Sequence, residues 1–320
     1  MRRRDFIRVF GGTVAAWPIA ALAQQSAMPV IGFLAEVPQV THLTAEFQRG
    51  LAGLGYVEGK NLTTEYRFKP ESLPQAAADL VRLNVNVIFA AAPEALAVVS
   101  NAKTSIPVVG IDLDSDPIAK GYVKSLAHPG GNITGVFLDI PELMGKQIGL
   151  LKETVPRLSR IAIFGVPGLN ALQFKAAERA ARDFNIAPEI MEVRAVDDFG
   201  PAIEAAQARH VEAGILSPSP LVFVFSKQIG EVALAKRLPL ISLFGESAKN
   251  GCLLAYGPDL PEMFVRCGNY VGRILQGAKP SDLPIQRPEK FHLVINLKTA
   301  SALGLDIPTQ LQQLADEVIE

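Results

Sequence analysis

The chain is poor in the side chains on which enzymes and metal sites most often depend. It has two cysteines and four histidines in 320 residues. The histidines are scattered without the spacing of metal ligands: His42, His128, His210 and His292. The sequence contains no H-E-x-x-H, C-x-x-C or G-x-S-x-G motif. We therefore expect no metal, no cofactor and no catalytic site.

Two segments come close to ligand-binding loops without matching them. GLGYVEGK (53–60) has Leu54 where a phosphate-binding P-loop needs glycine, and Glu58 where a dinucleotide fingerprint needs it. DLDSDP (112–117) begins like a calcium loop, but its sixth residue is proline instead of glycine. We interpret the first segment as the end of a helix and the second as the start of one, with Asp116 as N-cap.

The chain also lacks long uncharged runs and an excess of positive charge. After residue 23 no uncharged run is long enough to span a membrane. Removing the four arginines and one aspartate of the first eight residues changes the formal net charge from −1 to −4, which argues against nucleic acid as a partner. Cys252 and Cys267 are too few for a disulfide scaffold. They either pair in an oxidising compartment or are separately buried thiols, and the sequence leaves both open.

The first 23 residues have the three parts of an export signal in the usual order. A basic start contains Arg3 and Arg4, residues 9–22 carry no charge, and Ala-Leu-Ala at 21–23 is the small-x-small pattern of a cleavage site. The apolar part is too short and glycine-rich to span a bilayer well. RRDFIR resembles the twin-arginine motif, with the general secretory route as the alternative. We predict a signal peptide over residues 1–23 and a mature protein in the periplasm.

Strand-like apolar runs alternate with helical patterns through the rest of the chain. VIGFL, NLTTEYRF, NVIFAA and IPVVGID are separated by helix-like segments, and RIAIFG, APEIMEV, EAGILS and LPLISLF repeat the order. This alternation implies βαβ units and parallel sheets. We predict an α/β fold of two doubly wound, Rossmann-like lobes, with one large sheet as the alternative. Since such sheets bind ligands at the carboxyl ends of their strands, the expected site is a cleft between the lobes.

Four segments closely resemble one protein family: LAGLGYVEGKNLTTEYRF, SLAHPGGNITGV, YVGRILQGAKPSDLPIQRPEKFHLVINLKTASALGLDIP and LADEVIE. The family is the ABC-transporter substrate-binding proteins with a type I periplasmic-binding-protein fold, in the subgroup that includes tryptophan/tyrosine-type binding components. The resemblance covers essentially all of the chain after the leader. It implies two lobes that are joined by three crossover strands, close on a small ligand and present it to a permease.

The resemblance also implies a pocket built from the loops after the first, third and fourth strands of each lobe. In the first lobe these loops are residues 35–37, 91–93 and 112–114. The candidate ligand-binding residues in both lobes, with one near a crossover, are Glu36, Ala92, Asp112, Asp114, Asn170, Ser217, Phe244, Glu246 and Tyr256.

Each candidate has a possible ligand role and a structural alternative. Ser217 at a helix N-terminus suits a ligand carboxylate, or it caps its helix. Phe244 and Tyr256 suit the two faces of an aromatic ligand, or they belong to the core. Asp112 or Glu246 suits a ligand amine, or is merely solvated. The same choice between ligand and helix cap applies to Asn170, and the sequence does not decide it.

The expected function is that of a receptor for an ABC importer. We expect a monomer that binds an amino acid or related organic acid and passes it to a membrane permease with its ATPase subunit. The predicted lobes interleave, 29–117 with 251–279 in the first and 118–250 with 280–320 in the second. A periplasmic sensor for a receptor kinase is the main alternative, because the same fold serves both. A two-domain Rossmann-like enzyme and the effector domain of a repressor rank below it.

Overall fold

The computed structural model describes residues 28–138 and 140–320, and the predicted signal peptide over residues 1–23 lies outside the described residues. In this part of the chain the strands form two sheets, one of five strands and one of seven. Every run that the sequence marks as a strand contains one. The predicted α/β fold with two lobes is confirmed.

The five-stranded sheet is entirely parallel and forms the first lobe, in the order β2-β1-β3-β4-β5. Its strands are β1 (Val30–Ala35), β2 (Thr63–Phe68), β3 (Val87–Ala91), β4 (Val108–Asp112) and β5 (Ile133–Phe137). The strands β3, β4 and β5 are buried at every residue. Short, continuously apolar strands of this kind need helices on both faces of the sheet.

Helices from distant parts of the chain cover the two faces of the first sheet. One face packs on α1 (Thr41–Ala52) and α10 (Leu260–Leu275), and the other on α2 (Leu73–Arg82) and α3 (Pro93–Asn101). The backbones of α1 and α10 approach closely. A Cβ atom added to Gly268 would lie 2.1 Å from the carbonyl oxygen of Phe47, and one on Gly50 would lie 2.1 Å from that of Val265. This contact fixes α10, which lies late in the chain, to the first lobe.

The seven-stranded sheet forms the second lobe, in the order β12-β11-β10-β9-β8-β6-β7. Its strands are β6 (Arg160–Gly165), β7 (Ala187–Glu192), β8 (Ala213–Leu216), β9 (Leu240–Ser242), β10 (Leu254–Pro258), β11 (Phe291–Asn296) and β12 (Glu317–Ile319). All neighbouring pairs are parallel except β10 and β11. The helices are α4 (Ile140–Thr154), α5 (Ala171–Asp183), α6 (Phe199–Ala208), α7 (Pro220–Val224), α8 (Ser226–Ala235), α9 (Gly245–Lys249), α11 (Leu297–Leu303) and α12 (Thr309–Leu314).

The chain passes from one lobe to the other three times, and the strand pairing places these crossings at positions that differ from the predicted boundaries. β5 pairs with β4, so residues 118–137 accompany the first sheet instead of the second. β10 pairs with β9 and β11, so residues 254–258 belong to the second sheet. Gln286 bridges to Val136 of β5, which keeps residues 280–286 with the first. The reason is that hydrophobic periodicity marks a strand but not the strand beside it.

The two cysteines lie in different lobes and are not joined. Cys252 is buried in the core of the second lobe, and Cys267 on α10 is buried in the core of the first. Burial raises the pKa of the Cys252 thiol to about 12 and raises that of Cys267 as well. Both are therefore neutral, inert thiols, and the alternative of two separately buried groups applies. As for membrane spans, none of the described helices is both long enough and apolar enough to form one.

Candidate ligand-binding cleft

A cavity lies between the two lobes where strands of both sheets end. It measures about 730 Å³, its open mouth included. Residues at the ends of β1, β3 and β4 line one side, and residues 218–220 after β8 line the other. This is the edge at which doubly wound sheets bind ligands. We call it the aromatic cleft because five phenylalanines line it: Phe33, Phe68, Phe223, Phe244 and Phe264.

The phenylalanines of the cleft are held in place by contacts with other rings. The ring centre of Phe33 lies 5.0 Å from that of Phe68 and 4.7 Å from that of Phe89 in the first-lobe core. Across the cleft, the rings of Phe223 and Phe244 meet edge to face at 5.1 Å. Because neighbouring rings fix these side chains, the apolar walls of the cleft are largely preformed.

Ala92 lines the cleft, and its backbone conformation is unusual. Its φ of 111° and ψ of 158° fall in a region that glycine adopts readily and other residues avoid. The residue directly precedes Pro93 at the start of α3, and its N–H donates to the carbonyl oxygen of Ile111 at 3.1 Å. This hydrogen bond between neighbouring strand ends holds the loop in the strained form.

Asp112 ends β4 and is fully buried, so it is not the solvated side chain of the alternative interpretation. Its Oδ1 accepts hydrogen bonds from the N–H groups of Asp114 at 2.8 Å and Ser115 at 2.9 Å. Its Oδ2 has no hydrogen-bond partner among the described residues. Burial raises the pKa of the carboxyl group, and the two N–H groups, the hydroxyl group of Ser115 and the charge of Lys120 oppose that shift.

Glu94, in the first turn of α3, is a half-buried carboxyl group that the sequence reasoning missed. Burial raises its pKa to about 7, and the neighbouring carboxylates of Glu36 and Asp112 add to the shift. Its Oε2 is buried and has no partner within the described part of the chain. Glu36 itself is exposed at the end of β1, between Ala35 and Val37, which both line the aromatic cleft.

Asp114 joins the two lobes. Its carboxylate accepts a hydrogen bond from the side-chain amide of Gln173 on α5, and Asp114 also lines the aromatic cleft. Burial, together with the charges of Asp112 and Glu94, raises its pKa well above the usual range. Gln173 is fully buried, and its Oε1 lacks a partner among the described residues. We call Glu94, Asp112, Asp114 and Gln173 the acidic junction.

Two polar candidates of the second lobe, Asn170 and Ser217, do not line the aromatic cleft. Asn170 Oδ1 accepts a hydrogen bond from the N–H of Val166 at 2.8 Å, and its Nδ2 donates to the carbonyl oxygen of Pro218 at 2.8 Å. It ties two loops together and makes no side-chain cap on α5. Ser217 is fully buried, and its hydroxyl group has no partner among the described residues. Ser219 caps α7 by accepting from the N–H of Val222 at 3.2 Å.

The remaining two candidates lie away from the aromatic cleft. Glu246 on α9 is half exposed, and its Oε1 lies 3.9 Å from Nζ of Lys249. It lines a separate cavity that is more polar than the aromatic cleft. The ring of Tyr256 stacks on Phe291 at 5.9 Å. Burial raises its pKa, with a smaller effect from the charge of Asp316. The ring of Phe244 contacts Phe223 in the cleft, whereas the ring of Tyr256 contacts Phe291. Phe244 and Tyr256 therefore do not form the two faces of one ligand site, in contrast to what the sequence suggests.

A further cavity, which we call the polar cavity because it is more polar than the aromatic cleft, shares Asp114 with it. It measures about 1050 Å³ with its mouth and is lined by residues 114–117, by apolar side chains such as Leu138 and Leu172, and by Lys175, Arg179 and Arg287. Within the described residues, no group of three or more His, Cys, Asp or Glu side chains is placed to hold a metal ion.

Comparison with known proteins gives one family and one fold. A family model described as ABC transporter substrate binding protein matches residues 30–319. The tyrosine-binding protein of Clostridioides difficile (strain R20291) is 24% identical over 284 residues, which make up 86% of this chain and 80% of that protein.

Two solved structures have the same fold. The ABC domain in complex with L-Trp from Streptococcus pneumonia superposes with a TM-score of 0.82 at 22% identity, covering 91% of this chain and 99% of that one. A conserved domain protein from Vibrio cholerae O1 biovar El Tor gives a TM-score of 0.81 at 25% identity, with the same coverage of 91% and 99%. The fold is that of the type I periplasmic binding proteins. Since the family model spans both lobes, the chain belongs to the ABC transporter substrate-binding proteins.

Proposed function

We propose that the protein is an exported receptor that captures a small organic molecule in the aromatic cleft and delivers it to the permease of an ABC importer. The observation that carries this proposal is the cleft itself. It lies between two lobes, it is walled by phenylalanines from both of them, and the Asp114–Gln173 hydrogen bond connects the lobes beside it. A ligand bound there would touch both lobes at once, as hinge closure requires.

The lining of the cleft favours a ligand with an aromatic or other flat apolar body. Aromatic side chains bind such bodies through large contact areas and preferred ring geometries. The tyrosine-binding relative and the neighbour with L-Trp bound support an amino acid or a related compound of similar size. Asp114, Ala92 and Phe244 are the predicted site residues that we propose to contact it.

Thermal unfolding of the purified, ligand-stripped protein tests this proposal. The panel contains aromatic and aliphatic amino acids, aromatic acids, aromatic amines and short organic acids. A compound present at a hundred times its dissociation constant stabilises the folded state by about 2.7 kcal/mol, which raises the melting temperature by several degrees. We expect one chemical class to do so without being consumed.

A matched pair of variants locates the binding site. Phe223→Ala removes a half-buried ring from the cleft and should abolish the ligand-induced shift. Val224→Ala changes the next residue, which is exposed and does not line the cleft, and should leave the shift intact. If the two variants respond to ligand alike, the site is elsewhere and the proposal fails.

We propose export through the leader over residues 1–23, and this needs its own experiment. The full chain expressed in a Gram-negative host should appear in the periplasm with Gln24 as its first residue. Replacing Arg3 and Arg4 by lysine should block export if the twin-arginine route is used, whereas Arg8→Lys should not. Full-length protein retained in the cytoplasm in all cases would contradict export.

A further inference from the structure

The acidic junction presents hydrogen-bond acceptors without donors to match them. Three buried oxygen atoms lack a partner among the described residues: Glu94 Oε2, Asp112 Oδ2 and Gln173 Oε1. The amide oxygen of Gln173 can only accept, and the two carboxyl oxygens can only accept when their groups are ionised. Asp112 and Gln173 are both fully buried. Buried acceptors are normally satisfied, so these three call for a donor that arrives with a ligand.

The charges around the acidic junction favour a hydrogen-bond donor that carries positive charge. Four carboxyl groups act on one another here: Glu36, Glu94, Asp112 and Asp114. The charges of Asp112 and Glu94 also raise the pKa of Tyr122, and the charge of Lys120 lowers the pKa of Asp112. Asp114 pairs with a neutral amide. Lys175, Arg179 and Arg287 line the polar cavity beyond Asp114 and not the aromatic cleft. When the four carboxyl groups are ionised, a cation bound in the aromatic cleft would relieve the repulsion among them.

The aromatic cleft beside the junction is poorly suited to a carboxylate. No lysine, arginine or histidine stands among the described residues that line it. Two of the helices that begin at the cleft, α3 and α7, start with Pro93 and Pro220, which have no N–H group to offer an anion. At the start of α7, the N–H of Val222 is already bonded to Ser219. Basic side chains line the polar cavity instead, beyond Asp114.

From these observations, and resting on the function proposed above, we infer that the ligand is an arylalkylamine without a carboxylate, that is, an aromatic ring with an amino group on a saturated side chain. Its apolar body fills the aromatic cleft, and its protonated nitrogen donates a hydrogen bond to Asp114, the member of the acidic junction that lines the cleft. The carboxyl groups of Asp112 and Glu94 act on Asp114 and attract the same positive charge. An organic cation fits better than a metal ion, because no metal-binding group of side chains stands among the described residues. A charged nitrogen bonded to carboxylates makes stronger hydrogen bonds than a neutral donor.

Three compounds with one body and different charged groups test the inference: tyramine, tyrosine and 3-(4-hydroxyphenyl)propanoate. Their affinities for the full chain are measured by titration calorimetry at about pH 8. We expect tyramine to bind at least about tenfold more tightly than tyrosine, a difference of about 1.4 kcal/mol, and the propanoate to give no binding signal. The three probes present the same ring to the cleft, so the comparison isolates the amine and the carboxylate.

Charge-neutral variants of the junction provide the second part of the test. Asp114→Asn and Glu94→Gln should each weaken tyramine at least about tenfold, because each removes one negative charge beside the bound nitrogen. Glu153→Gln, on the exposed surface of α4, controls for the change in net charge and should have no effect. Phe223→Ala should weaken whichever of the three compounds binds, since it acts on the shared ring.

The outcomes separate this inference from the proposed function. Tyrosine or the propanoate binding as tightly as tyramine, with sensitivity to Phe223→Ala, overturns the inference and supports the receptor. Tyramine binding that does not change in Asp114→Asn and Glu94→Gln also overturns it. If none of the three binds, the inference fails, and the wider panel of the thermal test then decides the proposed function.

Discussion

Ala92 has a backbone conformation that suits glycine better than alanine. Its φ of 111° and ψ of 158° place the Cβ atom under steric strain of about 1–3 kcal/mol, and the following Pro93 narrows the choice of conformations further. We expect Ala92→Gly to raise the free energy of unfolding by about 1 kcal/mol, because the relief of strain exceeds the added entropy of the unfolded chain. Urea denaturation of the ligand-free protein measures the change.

Ala91→Gly is the matched control, one residue earlier in β3. Ala91 is buried in an ordinary strand, so glycine there loses a packed methyl group and gains freedom in the unfolded state. The variant should be less stable by about 1 kcal/mol or more. If both variants lose stability equally, Ala92 is not strained.

The raised pKa of Glu94 makes the stability of the ligand-free protein depend on pH. Its folded-state pKa of about 7 lies above the ordinary value of 4.5, so the folded protein binds more protons than the unfolded chain between these values. Stability therefore falls as pH rises from about 4.5 through about 7. Asp112 and Asp114 have raised pKa values and act in the same direction.

Glu94→Gln tests this pH dependence. The glutamine does not ionise, so the melting temperature of the variant should fall less between about pH 5 and pH 8 than that of the unaltered protein. The part of the slope that remains belongs to Asp112 and Asp114. Equal slopes for the two proteins would show that Glu94 ionises at its ordinary pKa.

For individual residues, the sequence predicted which ones lie at the ends of strands better than which side chains contact one another. Ala92, Asp114 and Phe244 line the cleft because loops after parallel strands meet at one edge, which chain order is enough to predict. The sequence did not predict Glu94 and Gln173 as site residues, because their roles depend on burial and on a contact between the lobes. Neither property has a signature in a short stretch of sequence.

Among the helices, the pair α1 and α10 depends on two glycines at their crossing. An added Cβ at Gly268 would meet the carbonyl oxygen of Phe47 at 2.1 Å, so Gly268→Ala would force the helices apart. We expect it to lower the free energy of unfolding by about 3 kcal/mol. Gly145→Ala in α4, where no atom lies within 4 Å of the new Cβ, should instead raise it by up to about 1 kcal/mol. Urea denaturation compares the two, and a mild effect at Gly268 would contradict the close crossing.

The strands themselves were predictable from their apolar runs, whereas the neighbours of β5 and β10 were not. β5 is five residues long and follows an irregular segment of twenty residues, so nothing local ties it to β4. β10 pairs antiparallel with β11, which begins 33 residues after β10 ends, once the chain has passed through α10 and the first lobe. Such pairings are decided by the packing of both lobes together, and this is why the predicted boundaries differ from the observed ones.

For the molecule as a whole, the hydrogen bond between Asp114 and Gln173 is expected to favour the closed arrangement of the lobes. Gln173→Ala removes the hydrogen-bond donor that the second lobe offers to the carboxylate of Asp114. We expect the ligand-free variant to open, with a larger radius of gyration in small-angle X-ray scattering. Weaker ligand binding should follow, since the closed state then has to be formed at a higher cost.

Arg182→Ala on the same helix serves as the comparison for Gln173→Ala. Its side chain is exposed near the C-terminal end of α5. It should leave both the radius of gyration and the affinity unchanged. An unchanged radius of gyration in Gln173→Ala as well would show that other contacts keep the lobes closed.

The position of one buried cysteine in each lobe allows the unfolding of each lobe to be timed separately. A thiol reagent reaches Cys252 only when the second lobe opens and Cys267 only when the first does, since both side chains are at most 1% exposed. With the other cysteine replaced by alanine, the labelling rate against urea concentration gives one opening free energy per lobe. We expect two different values, because the lobes have separate hydrophobic cores. Equal values would mean that three chain crossings are enough to make two cores unfold as one unit.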